Sequence, residues 1–326
     1  MQLRSPRALH VVLCALALAL GPAACASSSA PASNPAGASA PSGAASPTPP
    51  APRVSRVRSA DGVELAVTET GDLDGPAIVF VHGLGFSREI WRRQLEGGLS
   101  SRFHLVAYDL RGHGRSARPR DDAAYADGAR WGDDLAAVIA GTRVEKPIVV
   151  GWSLGGVVLG AYLRDHGGDE LGGAVFVDAV TKFAPELFAP GNDRFMAGLG
   201  SSDDAARAEW TRAFVEACFA KPLDPGELDR LLAAAGVLPA SEHVAIQRIS
   251  LAGTEPALRA FQKPTLVVYG AFDRFITVAM ARHTAELVPG ARLVQYERAG
   301  HAPFVDEAAR FDEELARFVL AARTGR

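Results

Sequence analysis

From Val63 to Glu69 apolar and polar residues alternate with a period of two, which predicts a half-buried antiparallel strand near a sheet edge. Asp61-Gly62, just before it, reads as a hairpin turn. Further along, apolar residues come in short unbroken runs bounded by turn residues: Ala77–Val81, Leu105–Tyr108, Ile148–Val150, Ala174–Val177 and Thr265–Tyr269. Each is too short for a helix and rich in β-branched residues, the mark of strands buried on both faces and therefore of a mostly parallel sheet. Arg292–Tyr296 predicts one more strand. Between the runs lie helix-like stretches at Asp133–Ala140, Leu154–Arg164, Val278–Leu287 and Glu307–Ala322. The alternation predicts an α/β fold: a mostly parallel central sheet with helices on both faces.

The alternation breaks once. From about Lys182 to Arg259, some 78 residues, the chain has helix-like segments (Ala205–Phe219, Gly226–Ala235, Ser241–Ser250) and no strand. That predicts a helical cap, 182–259, inserted into a core formed by 53–181 and 260–326. No repeat of solenoid period is present.

Before the core the composition changes. Arg4 and Arg7 precede ten apolar residues, Val11 to Leu20, too few to span a bilayer but suited to a secretory signal. The segment 1–25 ends in Pro22-Ala23-Ala24-Cys25, which resembles a bacterial lipobox with Cys25 as the lipidated residue, although Pro22 stands where that family usually has Leu. Ala24-Cys25-Ala26 also fits ordinary signal cleavage, which would release a soluble protein. The stretch 26–52 has seven Pro, no charge and otherwise almost only Ala, Ser and Gly, the composition of a solvated tether. Export to the cell envelope, membrane-anchored through Cys25 or else periplasmic or secreted, is the expectation.

Charge and cysteine content narrow the function. With 34 Lys+Arg against 37 Asp+Glu, the net charge of −3 offers no basic footprint, so nucleic acid is not an expected partner. Three cysteines, Cys14, Cys25 and Cys218, are too few for a disulfide framework, and Cys218 reads as a small buried residue. There is no H-E-x-x-H, no paired C-x-x-C and no Walker loop, so no metal or nucleotide cofactor is expected.

The chemistry concentrates in a few loops. Gly151-Trp152-Ser153-Leu154-Gly155 matches G-x-S-x-G, which alone is weak. Its context is stronger: a strand, Pro147–Val150, runs into it and a helix-like stretch follows, as needed to lift a serine above a sheet at a helix N-terminus. Val81-His82-Gly83-Leu84-Gly85 follows another strand, and the backbone N–H of Leu84, with that of Leu154, could hold a developing oxyanion. His301, in Ala299-Gly300-His301-Ala302-Pro303-Phe304, is the one histidine on a late loop after a strand, which suits a general base. Asp273 follows the Thr265–Gly270 segment and gives the order Ser, Asp, His; Asp178, after Ala174–Val177, is the alternative acid. Asp109, Asp133 and Asp134 read as turn or helix-start residues. Trp152 and Phe86, beside these loops, are expected to touch substrate.

Together these motifs resemble the α/β-hydrolase-fold enzymes of the esterase, lactonase and cofactor-free haloperoxidase group. The resemblance spans about Val54 to Arg323 and rests on His82–Gly85, the run Tyr108–Ser116, the serine turn, Gly270–Asp273 and Gly300-His301. It implies a triad of Ser153, Asp273 and His301, oxyanion donors at Leu84 and Leu154, and an architectural role for Tyr108–Ser116. A serine nucleophile argues against the epoxide hydrolases and haloalkane dehalogenases of this fold, which use Asp. Trp152 departs from the His, Phe or Gln that many relatives carry near the serine. The aromatic and aliphatic residues of the cap favour an apolar acyl or alcohol group. The implied function is a serine hydrolase for a small, largely apolar carboxylic ester or lactone. A ligand receptor on the same scaffold, or a C–C hydrolase, amide hydrolase or perhydrolase using the same triad, are the alternatives.

Overall fold

The computed structural model describes residues 51–324; the segment 1–25, with Cys25, and nearly all of 26–52 lie outside the described residues. Eight strands form one sheet: β1 (Arg53–Arg58), β2 (Glu64–Gly71), β3 (Ala77–Val81), β4 (His104–Tyr108), β5 (Ile148–Trp152), β6 (Gly173–Val177), β7 (Thr265–Gly270) and β8 (Arg292–Tyr296). Their spatial order is β1-β2-β4-β3-β5-β6-β7-β8. β2 pairs antiparallel with both β1 and β4, and every pair from β4 to β8 is parallel. The alternating strand is thus second from the edge, and the outermost is β1, joined to it by a turn in which Gly62 takes φ 86°.

Among the described residues three α-helices precede β5: α1 (Arg92–Glu96), α2 (Ala123–Ala126) and α3 (Gly128–Thr142). α4 (Leu154–His166) follows it. Between β6 and β7 come α5 (Asn192–Leu199), α6 (Asp204–Ala217), α7 (Pro225–Ala235), α8 (Ala240–Ile246) and α9 (Thr254–Ala260), and no strand among the described residues. The chain closes with α10 (Val278–Leu287), α11 (Pro303–Asp306) and α12 (Ala308–Thr324). Among the described residues no helix is long and apolar enough to cross a membrane.

Strand alternation builds two cores, one on each face. On β3, Val79 and Val81 join Trp131, Leu135 and Val158 under α3 and α4. Ile78 and Phe80 face the other way, onto Trp91, Phe304, Phe311 and Leu315. All five residues of β3 are buried, as an unbroken apolar run requires in a sheet covered on both sides.

Two expectations are corrected. The helix expected from Asp133 starts at Gly128, where the Asp127 side chain caps it by accepting from Ala129 N–H. Gly128 and Gly132 concealed the start, but Gly132 is where α3 meets α4: a Cβ there would lie 2.9 Å from the Ala161 carbonyl carbon. Asp134 is therefore not a helix-start residue. It is buried inside α3 and takes a bidentate pair of bonds from Arg111 at 2.8 and 2.7 Å.

Candidate active site

The serine turn, the His82–Gly85 turn and the loops after β6, β7 and β8 all leave the carboxyl ends of parallel strands. β3 and β5 are neighbours with Val81 opposite Gly151, which brings two of these turns side by side at the point where the strand order reverses.

Ser153 sits between β5 and α4 with φ 54° and ψ −113°, a strained conformation for a residue with a Cβ. Surrounding backbone holds it there. Its N–H donates to the Val177 carbonyl at 3.1 Å, and its carbonyl accepts from Gly156 N–H at 2.9 Å and Val180 N–H at 3.0 Å. Gly155 must be glycine, because a Cβ would meet the Val81 carbonyl oxygen at 2.5 Å. A Cβ on Gly83 would stand 3.1 Å from Ser153 Cβ, so the His82–Gly85 turn passes directly beside the serine. Leu84 and Leu154 line the same cavity as Ser153, and the first N–H groups of α4, Leu154 among them, have no partner within the helix.

His301 is buried and its ring also lines that cavity. Its Nδ1 lies 2.7 Å from Asp273 Oδ2. The other oxygen of Asp273 accepts from Phe275 N–H at 2.7 Å and Ile276 N–H at 3.2 Å. The loop ends that bring these residues together touch closely: a Cβ on Gly270 would overlap the Gly300 carbonyl oxygen.

Sequence reading overlooked the groups that hold the loops. Asp306 Oδ2 accepts from Gly300 N–H at 2.7 Å and from Ala220 N–H at 3.0 Å, fastening the His301 loop to the end of α6. An Asp ending a four-residue helix gives no local sign of this. His82 Nε2 accepts from Leu110 N–H at 2.9 Å while Nδ1 lies 2.8 Å from the Gly83 carbonyl, an arrangement that requires a neutral Nδ1–H ring. Burial pushes the His82 imidazole down to about 4; burial and the neighbouring His82 push His113 to about 3. Asp109 is the turn residue expected of it: it is buried, ion-pairs with Arg88 and accepts from Arg88 and Arg115 N–H.

The expectation that Trp152 and Phe86 touch substrate is corrected. Trp152 is fully buried and Phe86 nearly so, and neither lines the cavity. Trp152 is the last residue of β5, so its side chain points into the core beneath the site while the turn lifts Ser153 above it. Its Nε1–H donates to the His301 carbonyl at 2.6 Å, and Phe86 packs edge-on against its ring.

The cavity measures about 90 Å³. Its walls are almost wholly apolar, with Val157, Val180, Phe188, Met196, Phe214 and Phe275 prominent and the carboxamides of Asn192 and Gln247 the polar exceptions beside Ser153 and His301. Phe275 packs on the His301 ring at 5.1 Å and on Phe214 at 4.8 Å. A larger cleft of about 660 Å³ opens at the amino ends of the strands and contains none of these residues.

Comparison with known proteins agrees with the fold. A candidate aryl esterase from Burkholderia cenocepacia, solved by crystallography, is 37% identical, over 83% of this chain and 100% of that one, with a TM-score of 0.79. The crystal structure of the esterase RhEst1 from Rhodococcus sp. ECU1013 is 30% identical over 82% of this chain and 99% of its own, with a TM-score of 0.77. The bifunctional esterase/perhydrolase DCH of Acinetobacter calcoaceticus is 26% identical over 275 residues, 81% of this chain and 98% of the relative. Residues 78–314 match the alpha/beta hydrolase family, and the chain belongs to that family.

Proposed function

We propose that this protein is a serine hydrolase that cleaves a small, largely apolar carboxylic ester or lactone through an acyl-enzyme. His301 Nε2 takes the Ser153 hydroxyl proton as Oγ attacks the carbonyl carbon. The tetrahedral oxyanion is held by the N–H groups of Leu84 and Leu154. Collapse expels the alcohol with the proton from His301; water, deprotonated by the same base, then releases the acid. Asp273 accepts the Nδ1–H bond throughout, fixing the tautomer and stabilising the cationic ring without taking its proton.

One observation carries this reading: the 2.7 Å contact between His301 Nδ1 and Asp273 Oδ2, with the His301 ring and the strained Ser153 facing one apolar cavity. The cavity favours a neutral, short or branched acyl group, since no residue charged at neutral pH lines it apart from what His301 becomes during turnover. The cap 182–259 contributes Phe183, Phe188, Met196, Phe214 and Gln247 to the walls, in keeping with a specificity role. Names of relatives include esterase and esterase/perhydrolase, so peroxide as acyl acceptor belongs in the same assay. The test is a panel of p-nitrophenyl esters from acetate to palmitate, with and without hydrogen peroxide. The reading requires turnover of the short esters that Ser153→Ala abolishes; inert esters would favour a ligand receptor on this scaffold.

We further propose that the protein is exported and anchored in the cell envelope through lipid on Cys25, with 26–52 linking the anchor to the hydrolase-fold core. Mass spectrometry of the mature N-terminus should find a diacylglyceryl Cys25; an unmodified terminus after ordinary signal cleavage would reject the anchor.

A further inference from the structure

A second carboxyl lies beside the His301–Asp273 pair, and the acyl-transfer scheme makes no use of it. Asp178 directly follows β6, is about 1% exposed, and has φ 40°, in the left-handed region that residues other than glycine seldom occupy. Its N–H donates to the Val268 carbonyl at 2.9 Å, and its Oδ1 accepts from Gly270 N–H at 3.0 Å. These bonds fix the side chain at the ends of β6 and β7. Its Oδ2 is buried and has no hydrogen-bond partner among the described residues. One oxygen of Asp178, one of Asp273 and a ring nitrogen of His301 lie within 4.8 Å of one another.

Two carboxylates do not face each other in a dry site without a proton between them, because like charges at that range drive one group neutral. Asp273 is already occupied as an acceptor of three bonds, from Phe275, Ile276 and His301. The oxygen left without a donor is on Asp178, and a carboxylic acid there would itself become the donor. Burial, and after it the charge of Asp273, pushes the Asp178 carboxyl well above the usual range. The other titratable groups that face Asp178 are Asp306 from α11, Cys218 from the end of α6 and Tyr269 from β7, none of them a cation.

We propose that Asp178 and Asp273 form a hydrogen-bonded carboxyl pair with one negative charge, in which Asp178 keeps its proton on Oδ2, donates that hydrogen bond to Asp273, and so positions the carboxylate that faces His301. Asp178 is a positioning residue: it acts on the imidazole through Asp273.

The proposal rests on the triad reading for its kinetics only. Infrared difference spectra of wild type against Asp178→Asn at neutral pH should show one protonated-carboxyl band lost in the variant; absence of that band overturns the pair. In ester turnover, Asp178→Ala should lower kcat about tenfold at little-changed KM, and Asp178→Asn, which keeps a donor in place, should recover kcat to within about threefold. On an Asp273→Asn background the charge has only Asp178 left to reside on, so Asp178→Asn should there cost a further tenfold or more. Equal cost in both backgrounds overturns the shared charge. The infrared band together with inert esters would leave the pair standing and reject the hydrolase reading instead.

Discussion

The indole N–H of Trp152 donates to the backbone carbonyl of His301 across 2.6 Å, although 149 positions separate them in the chain. The residue before Ser153 thereby holds the loop that carries the His301 imidazole, so the placement of these two residues shares one buried side chain. Trp152→Phe keeps most of the packing against Phe86 and Phe304 and removes only this bond. The expected result is a fall in kcat of about tenfold with KM within about twofold, and a stability loss of about 1–2 kcal/mol in urea denaturation.

Asp306 fastens the same loop from the other side. Asp306→Ala leaves the N–H groups of Gly300 and Ala220 without their acceptor and frees the His301 loop from the end of α6. Stability should fall by about 1–3 kcal/mol, and kcat should fall with it. Hydrogen exchange should report faster opening at Gly300 and Ala220 together; loss of protection at one alone would mean that the two are not joined through this carboxylate.

Met196 lines the cavity from α5. Met196→Ala should admit a longer acyl chain, each additional buried methylene contributing about 0.8 kcal/mol, or about fourfold in kcat/KM. With room for about two more methylenes, the ratio of hexanoate to acetate turnover should rise about fifteenfold. An unchanged ratio would place the acyl group elsewhere.

His82 and His113 are buried neutral, with folded values near 4 and 3 against about 6.5 when unfolded. Between those limits the unfolded chain binds more protons than the folded one, so this contribution to stability is present at pH 7 and is lost as the pH falls. Each imidazole should cost about 2 kcal/mol between pH 7 and pH 5. Carboxyls raised by burial, such as Asp312 at about 6, work in the opposite sense, so the clean measure is a difference between proteins. His113→Asn, which keeps a donor for the Arg111 carbonyl, should lose less stability over that interval than the wild type.

The sheet was legible because burial on both faces forces unbroken apolar runs, and Ala77–Val81 was bounded to the residue. Short helices were not: α1, α2 and α11 have four or five residues each, too few to display a period. Motif spacing pointed to Ser153, Asp273 and His301, which the fold brings to one end of the sheet. Trp152 was misread because nearness in sequence suggested nearness to substrate, whereas the end of a strand and the turn after it send neighbouring side chains in opposite directions. The Asp178–Asp273 approach and the hold of Asp306 on Ala220 depend on residues 86 or more positions apart, and no local pattern encodes them.

The most direct test of the central claim is to treat the protein from Arg53 onward with a fluorophosphonate and map the adduct by peptide mass spectrometry. The account predicts one adduct, on Ser153, formed at a rate that falls sharply in His301→Ala and absent from Ser153→Ala. An unlabelled Ser153 in the folded protein, or an adduct on another residue, would contradict it.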